Sequence, residues 1–133
     1  MIEPIHILII DDEAAVRYLS KRALNDYESE IHFYIKEAAN GIEGIEILSR
    51  LNPLPHVILL DINMPVMDGY EFLEAFAQLK LPEDSQPHIY VVSTVRKSES
   101  SAAQRFVKGY FEKPLTEDHI KSILTSMGLQ DLT

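Results

Sequence analysis

Cysteine is absent from this 133-residue chain, and so is tryptophan. Without thiols there are no disulfides, no thiolate metal ligands and no cysteine nucleophile, a usage that fits the cytoplasm. Positive charge is scarce: 12 Lys and Arg stand against 21 Asp and Glu, for a net charge of -9. Such a surface repels phosphate backbones and anionic lipid, which argues against direct nucleic-acid binding. Long hydrophobic runs are missing as well, since nothing approaches the roughly 18 apolar residues of a membrane span. "IHILII" (5–10) runs into Asp11, Asp12 and Glu13 instead of a small-residue cleavage site. The expectation is a cytoplasmic protein without membrane insertion. Its length fits one domain, residues 1–133, with a core that needs no staples.

Three short apolar runs are present: "IHILII" (5–10), "HVILL" (56–60) and "HIYVV" (88–92). Continuous runs of this length suit parallel strands buried on both faces. "IHFYIKE" (31–37) mixes polar and apolar residues as an edge strand does, and "GYFEK" (109–113) is a short last strand stopped by Pro114. Helical stripes lie between them: Val16, Leu19, Ala23 and Leu24; Ile42, Ile45 and Leu48; Phe72, Leu73, Phe76 and Leu79; Ile120, Ile123, Leu124 and Met127. Asp68 with Glu71 has capping-box spacing, Ser98 precedes a short helix, and Thr116 precedes the last one. This alternation predicts a doubly wound, flavodoxin-like α/β fold: five parallel strands and five helices.

In such a sheet, functional groups collect at the carboxyl ends of the strands beside the topological switch point. The first strand ends in Asp11-Asp12-Glu13, the third in Asp61, the fourth in Ser93-Thr94 and the fifth in Lys113-Pro114. With strand order 2-1-3-4-5, strands one and three are neighbours and their carboxylates converge. Crowded acids repel one another unless a cation sits among them. A hard divalent ion such as Mg²⁺ suits oxygen ligands of this kind. Lys113 offers charge to an anion and Ser93 a hydroxyl donor, so the set describes a site for a phosphoryl group on a carboxylate. Alone, Asp11-Asp12 reads as a helix cap beside a solvated acid, and Lys113-Pro114 as a strand exit. Their coincidence with Asp61 reverses that reading.

"IIDDE" (9–13), "LLDINMPVMDGYEF" (59–72), "VVST" (91–94) and "GYFEKPLT" (109–116) resemble the receiver domain of bacterial two-component response regulators, closest to its single-domain, chemotaxis-regulator-like type. The resemblance implies that Asp61 is phosphorylated by a sensor histidine kinase or a histidine phosphotransfer protein. It implies Mg²⁺ bound by Asp12 and Asp61, by the Asn63 carbonyl and partly through water by Asp11. Ser93 and Lys113 would contact the phosphoryl group, and Tyr110 would turn inward when Ser93 is drawn to it. Output to a downstream protein would run through the fourth helix, fifth strand and fifth helix, across residues 95 to 122. The protein would be a signalling phospho-acceptor and not an enzyme. The resemblance also implies a cis Lys113-Pro114 bond. The family's small-residue turn before the last strand is replaced here by "RFVKG", and the segment between Ser93 and Lys113 is short.

Two other function classes fit less well. A haloacid-dehalogenase-like phosphatase needs a second acid two residues after its Asp nucleophile, and Asn63 stands there. A flavodoxin-like flavin site needs a Ser/Thr/Gly-rich phosphate loop where Asp11-Asp12-Glu13 would repel phosphate. His6, His56 and His88 each precede an active-site position by five residues, which predicts a row on one face at the amino end of the sheet.

Overall fold

The computed structural model describes residues 3–94 and 102–129. The apolar runs form β1 (Ile5–Ile10), β3 (Val57–Leu60) and β4 (His88–Ser93). β2 (Phe33–Ala38) and β5 (Val107–Glu112) flank them in one parallel sheet of order β2-β1-β3-β4-β5. Four α-helices cover it: α1 (Ala14–Asp26), α2 (Gly41–Arg50), α3 (Gly69–Gln78) and α4 (Glu117–Ser126). No described helix is long and apolar enough to cross a membrane.

The two sheet faces explain the sequence pattern. Ile7, Ile9, Val57, Leu59, Tyr90 and Val92 pack against Leu24 of α1 and Ile120, Ile123 and Leu124 of α4. Leu8, Ile10, Ile58, Leu60 and Ile89 pack against Leu48 of α2 and Phe72, Leu73 and Phe76 of α3. The central strands are therefore apolar through their middles on both faces, with polar residues only near their ends, whereas β2, at the sheet edge, alternates half-buried and exposed residues. Fully burying each large side chain contributes about 1.5–3 kcal/mol. Phe72, with no exposure, is a principal anchor of α3.

Three expectations need correction. Four α-helices stand among the described residues where five were expected. The described part of the β4–β5 connection is a 3₁₀ helix, Ala102–Phe106; the helix start at Ser98 lies outside the described residues. A 3₁₀ helix rises about 2.0 Å per residue against about 1.5 Å for an α-helix, so it spans a short connection with fewer residues. On α1, Leu19 is 53% exposed and Ser20 is buried in its place. The histidine row is also broken. His6 and His56 are neighbours, with ring centroids 5.7 Å apart and the His6 N–H donating to His56 Nδ1 at 2.9 Å. β3 and β4, however, pair Val57 with His88, which staggers β4 by one residue. Alternation then places His88 on the opposite face, the face of Val57 and Tyr90.

Candidate functional site

Each strand end delivers its side chain through backbone pairing. The Asp61 N–H donates to the Ile10 carbonyl at 2.9 Å, which brings the end of β3 beside the end of β1. The Lys113 N–H donates to the Ser93 carbonyl at 3.0 Å, which brings the β5 exit beside the β4 exit. Asp11 and Asp61 are buried at 4% exposure each, while Asp12 is exposed at the rim. One oxygen from each of the three carboxylates lies within 4.8 Å of the others. The Lys113 ammonium bridges the two buried acids, 2.8 Å from Asp11 Oδ2 and 3.3 Å from Asp61 Oδ1.

The electrostatics follow from that crowding. Burial, then the Asp11 charge, push the Asp61 carboxyl up to about 6 against the opposing pull of Lys113. Burial alone would lower the Lys113 ammonium, but its bond to Asp11 and the charges of Asp11 and Asp61 together raise it. Three carboxylates against one ammonium leave two negative charges unbalanced, the charge of one divalent cation. An all-oxygen donor set of this charge fits Mg²⁺.

The loop after β3 is shaped by a few residues with definite tasks. Gly69 begins α3 against the Asp61 backbone, where an added Cβ would lie 2.6 Å from the Asp61 carbonyl oxygen. Its N–H donates to the Ile62 carbonyl at 2.8 Å, and Asp68 and Glu71 complete the expected capping box. Asn63 is exposed in the same loop, two residues beyond Asp61. The Met67 N–H donates to the Pro65 carbonyl at 2.8 Å, closing a γ-turn centred on Val66 at φ 71°. A β-branched residue in that region is strained, and Val66 is also 73% exposed.

The remaining predicted positions are distributed around this centre. Ser93 is buried as the last residue of β4, and Thr94 is exposed. Tyr110 is half-buried on β5, paired with Val91 of β4. The Lys113–Pro114 bond is cis, as is Asn52–Pro53. Sequence reasoning missed Arg17, whose Nη1 donates to the Asp11 carbonyl at 2.7 Å, and Glu37, which accepts from Arg17 Nε at 3.1 Å. The one available signal was a cation near the start of a helix, where the dipole disfavours it.

Comparison with known proteins agrees with this geometry. The response regulator receiver domain family matches residues 7–125. The nitrate/nitrite response regulator protein NarL of Escherichia coli is 37% identical over 125 residues, covering 91% of this chain and 54% of that protein. The chemotaxis protein CheY of Halobacterium salinarum is 29% identical over 126 residues, covering 90% and 97%. The chain thus spans about half the length of some relatives and nearly all of others. Among solved structures, a CheY-like response regulator receiver domain protein from Methanospirillum hungatei matches with a TM-score of 0.70 and 29% identity, covering 92% of this chain and 94% of that one.

Proposed function

Because this chain belongs to the response regulator receiver family, we propose that Asp61 is its phosphoryl acceptor and that residues 1–133 act as a cytoplasmic receiver domain. The donor is the phosphohistidine of a sensor histidine kinase or a histidine phosphotransfer protein. One observation carries the reading: a single ammonium, Lys113, bridges two buried carboxylates with a third in reach. The carboxylate oxygen of Asp61 attacks phosphorus, the P–N bond to the donor imidazole breaks, and its electron pair stays on the imidazole nitrogen. As the phosphoryl group arrives, the Lys113 ammonium is free to pair with one of its oxygens, and the Ser93 hydroxyl donates to another. Asp11, Asp12 and Asp61, with the Asn63 carbonyl, would hold Mg²⁺, which would supply charge screening for the phosphoryl oxygens. The module signals through an unidentified downstream protein and does not turn over a substrate of its own.

The test is labelling by acetyl phosphate. Asp61→Asn keeps the shape of the site but removes the nucleophile, so acid-labile phosphorylation should vanish, and chelation of Mg²⁺ should stop it in the wild type. Equal labelling of Asp61→Asn and wild type would rule out this assignment.

A further inference from the structure

Asp11 is held at every polar atom. Its N–H donates to the Ala38 carbonyl at 3.1 Å, and its Oδ1 accepts the Glu13 N–H at 2.9 Å. Its Oδ2 pairs with Lys113 at 2.8 Å, and its carbonyl accepts Arg17 Nη1 at 2.7 Å. The last of these is the only one supplied by a side chain from outside the acidic crevice. Arg17 is itself fixed: Nε bonds Glu37 Oε1 at 3.1 Å, and Lys21 holds the other Glu37 oxygen at 3.2 Å.

We propose that Arg17 is a positioning residue of the acidic site, clamping the Asp11–Asp12 peptide against Glu37 and so aiming the Asp12 carboxylate at the cation. This rests on the reading of Asp11, Asp12 and Asp61 as the Mg²⁺ site. The carbonyl that Arg17 grips belongs to the peptide plane that leads into Asp12, so turning that plane swings the Asp12 side chain. Among the described residues no hydrogen bond or ion pair holds the Asp12 carboxylate, so its direction comes from its backbone.

Helix stability does not account for Arg17. α1 starts at Ala14 with no acid in its first turn, and the Glu13 side chain makes no capping bond. A cation at the fourth helical residue opposes the helix dipole. The planar guanidinium, only 17% exposed, reaches Asp11 and Glu37 at once. A lysine ammonium lacks that fork. Partners that orient metal ligands typically change affinity about 10–100-fold when removed.

Calorimetric Mg²⁺ titration of the full chain, paired with thermal melts, tests the assignment. Arg17→Gln should weaken Mg²⁺ binding about 10–100-fold. Lys21→Gln, which loosens Glu37 without touching the Asp11 carbonyl, should stay within about twofold of wild type, because only Arg17 grips the peptide. If Arg17→Gln does not fold, Arg17→Lys carries the same test: a loss of several-fold or more, with a melting temperature near that of wild type. Binding by the folded Arg17 variant within about twofold of wild type overturns the inference. So does an equal loss in Lys21→Gln, which would make Arg17 part of a strut and nothing more. Wild-type protein that binds no Mg²⁺ would instead overturn the site reading itself, and this inference with it.

Discussion

At the scale of single residues, the charge of Asp11 bears on the titration of Asp61. Burial and the Asp11 charge raise Asp61 from 3.8 to about 6. The metal-free native state therefore binds more protons than the unfolded chain between those values. Stability from this group falls as pH rises from about 4 to about 6, then levels off. Mg²⁺ has the opposite preference, because it needs the ionised carboxylate. The Mg²⁺-induced rise in melting temperature should accordingly be larger at about pH 7.5 than at about pH 5.5. Equal rises at both would show that Asp61 is already ionised at the lower pH. Most of this site was legible in the sequence, because strand ends can be located from apolar runs and Asp11, Asp12, Asp61, Ser93 and Lys113 stand at them. Val66 and Arg17 were not. A strained left-handed valine contradicts its own propensity, and the grip of Arg17 on the Asp11 carbonyl depends on how α1 leaves β1.

At the scale of elements, caps and register decide what local pattern can reveal. The capping box of α3 was readable because Asp68 and Glu71 have the standard chemistry. That of α4 uses an unexpected partner. The Thr116 hydroxyl oxygen accepts the His119 N–H at 3.2 Å, and His119 Nδ1 accepts the Thr116 N–H at 3.1 Å. Nδ1 accepts only while the imidazole is neutral. Burial lowers His119 from 6.5, against the raising effect of Asp118 on the same helix. Its folded value is depressed, so the stability it gives is present above pH 6.5 and lost as pH falls through the folded value. His119→Gln replaces the cap with one that does not titrate. Between about pH 7.5 and pH 5.5, wild type should lose roughly 1 kcal/mol more than His119→Gln, a few degrees in melting temperature. Parallel melting curves for the two proteins would show that the cap does not respond to pH. The histidine row failed at this same scale. A spacing of five within each strand says nothing about stagger between strands, and β4 is offset by one residue.

Across the whole molecule, alternation of apolar runs and helical stripes was enough to predict a doubly wound parallel sheet, and the order 2-1-3-4-5 taken for it is the one observed. What pattern does not convey is how the site is mechanically tied to the rest. Lys113 touches both buried acids and is bonded through its backbone to Ser93. Two residues earlier on β5, the Phe111 ring stacks with Tyr90 at 5.6 Å and with His119 of α4 at 4.5 Å. A side-chain ladder thus runs from β4 through β5 into α4. Phosphorylation would replace the Asp61 carboxylate charge with a dianionic phosphoryl group where Lys113 is now shared by Asp11 and Asp61. Drawing that ammonium onto the phosphoryl group would shift the end of β5, and the ring stack would pass the shift to the first turn of α4. Tyr110, on the other face of β5, would report it. Hydrogen exchange with and without beryllofluoride should therefore change protection in β5, the first turn of α4 and the loop after Asp61. A partner should bind across residues 95 to 122, of which 95–101 lie outside the described residues. If protection changes instead in α1 and α2, the ladder does not carry the signal, and Tyr110 serves only to pack the edge of the sheet.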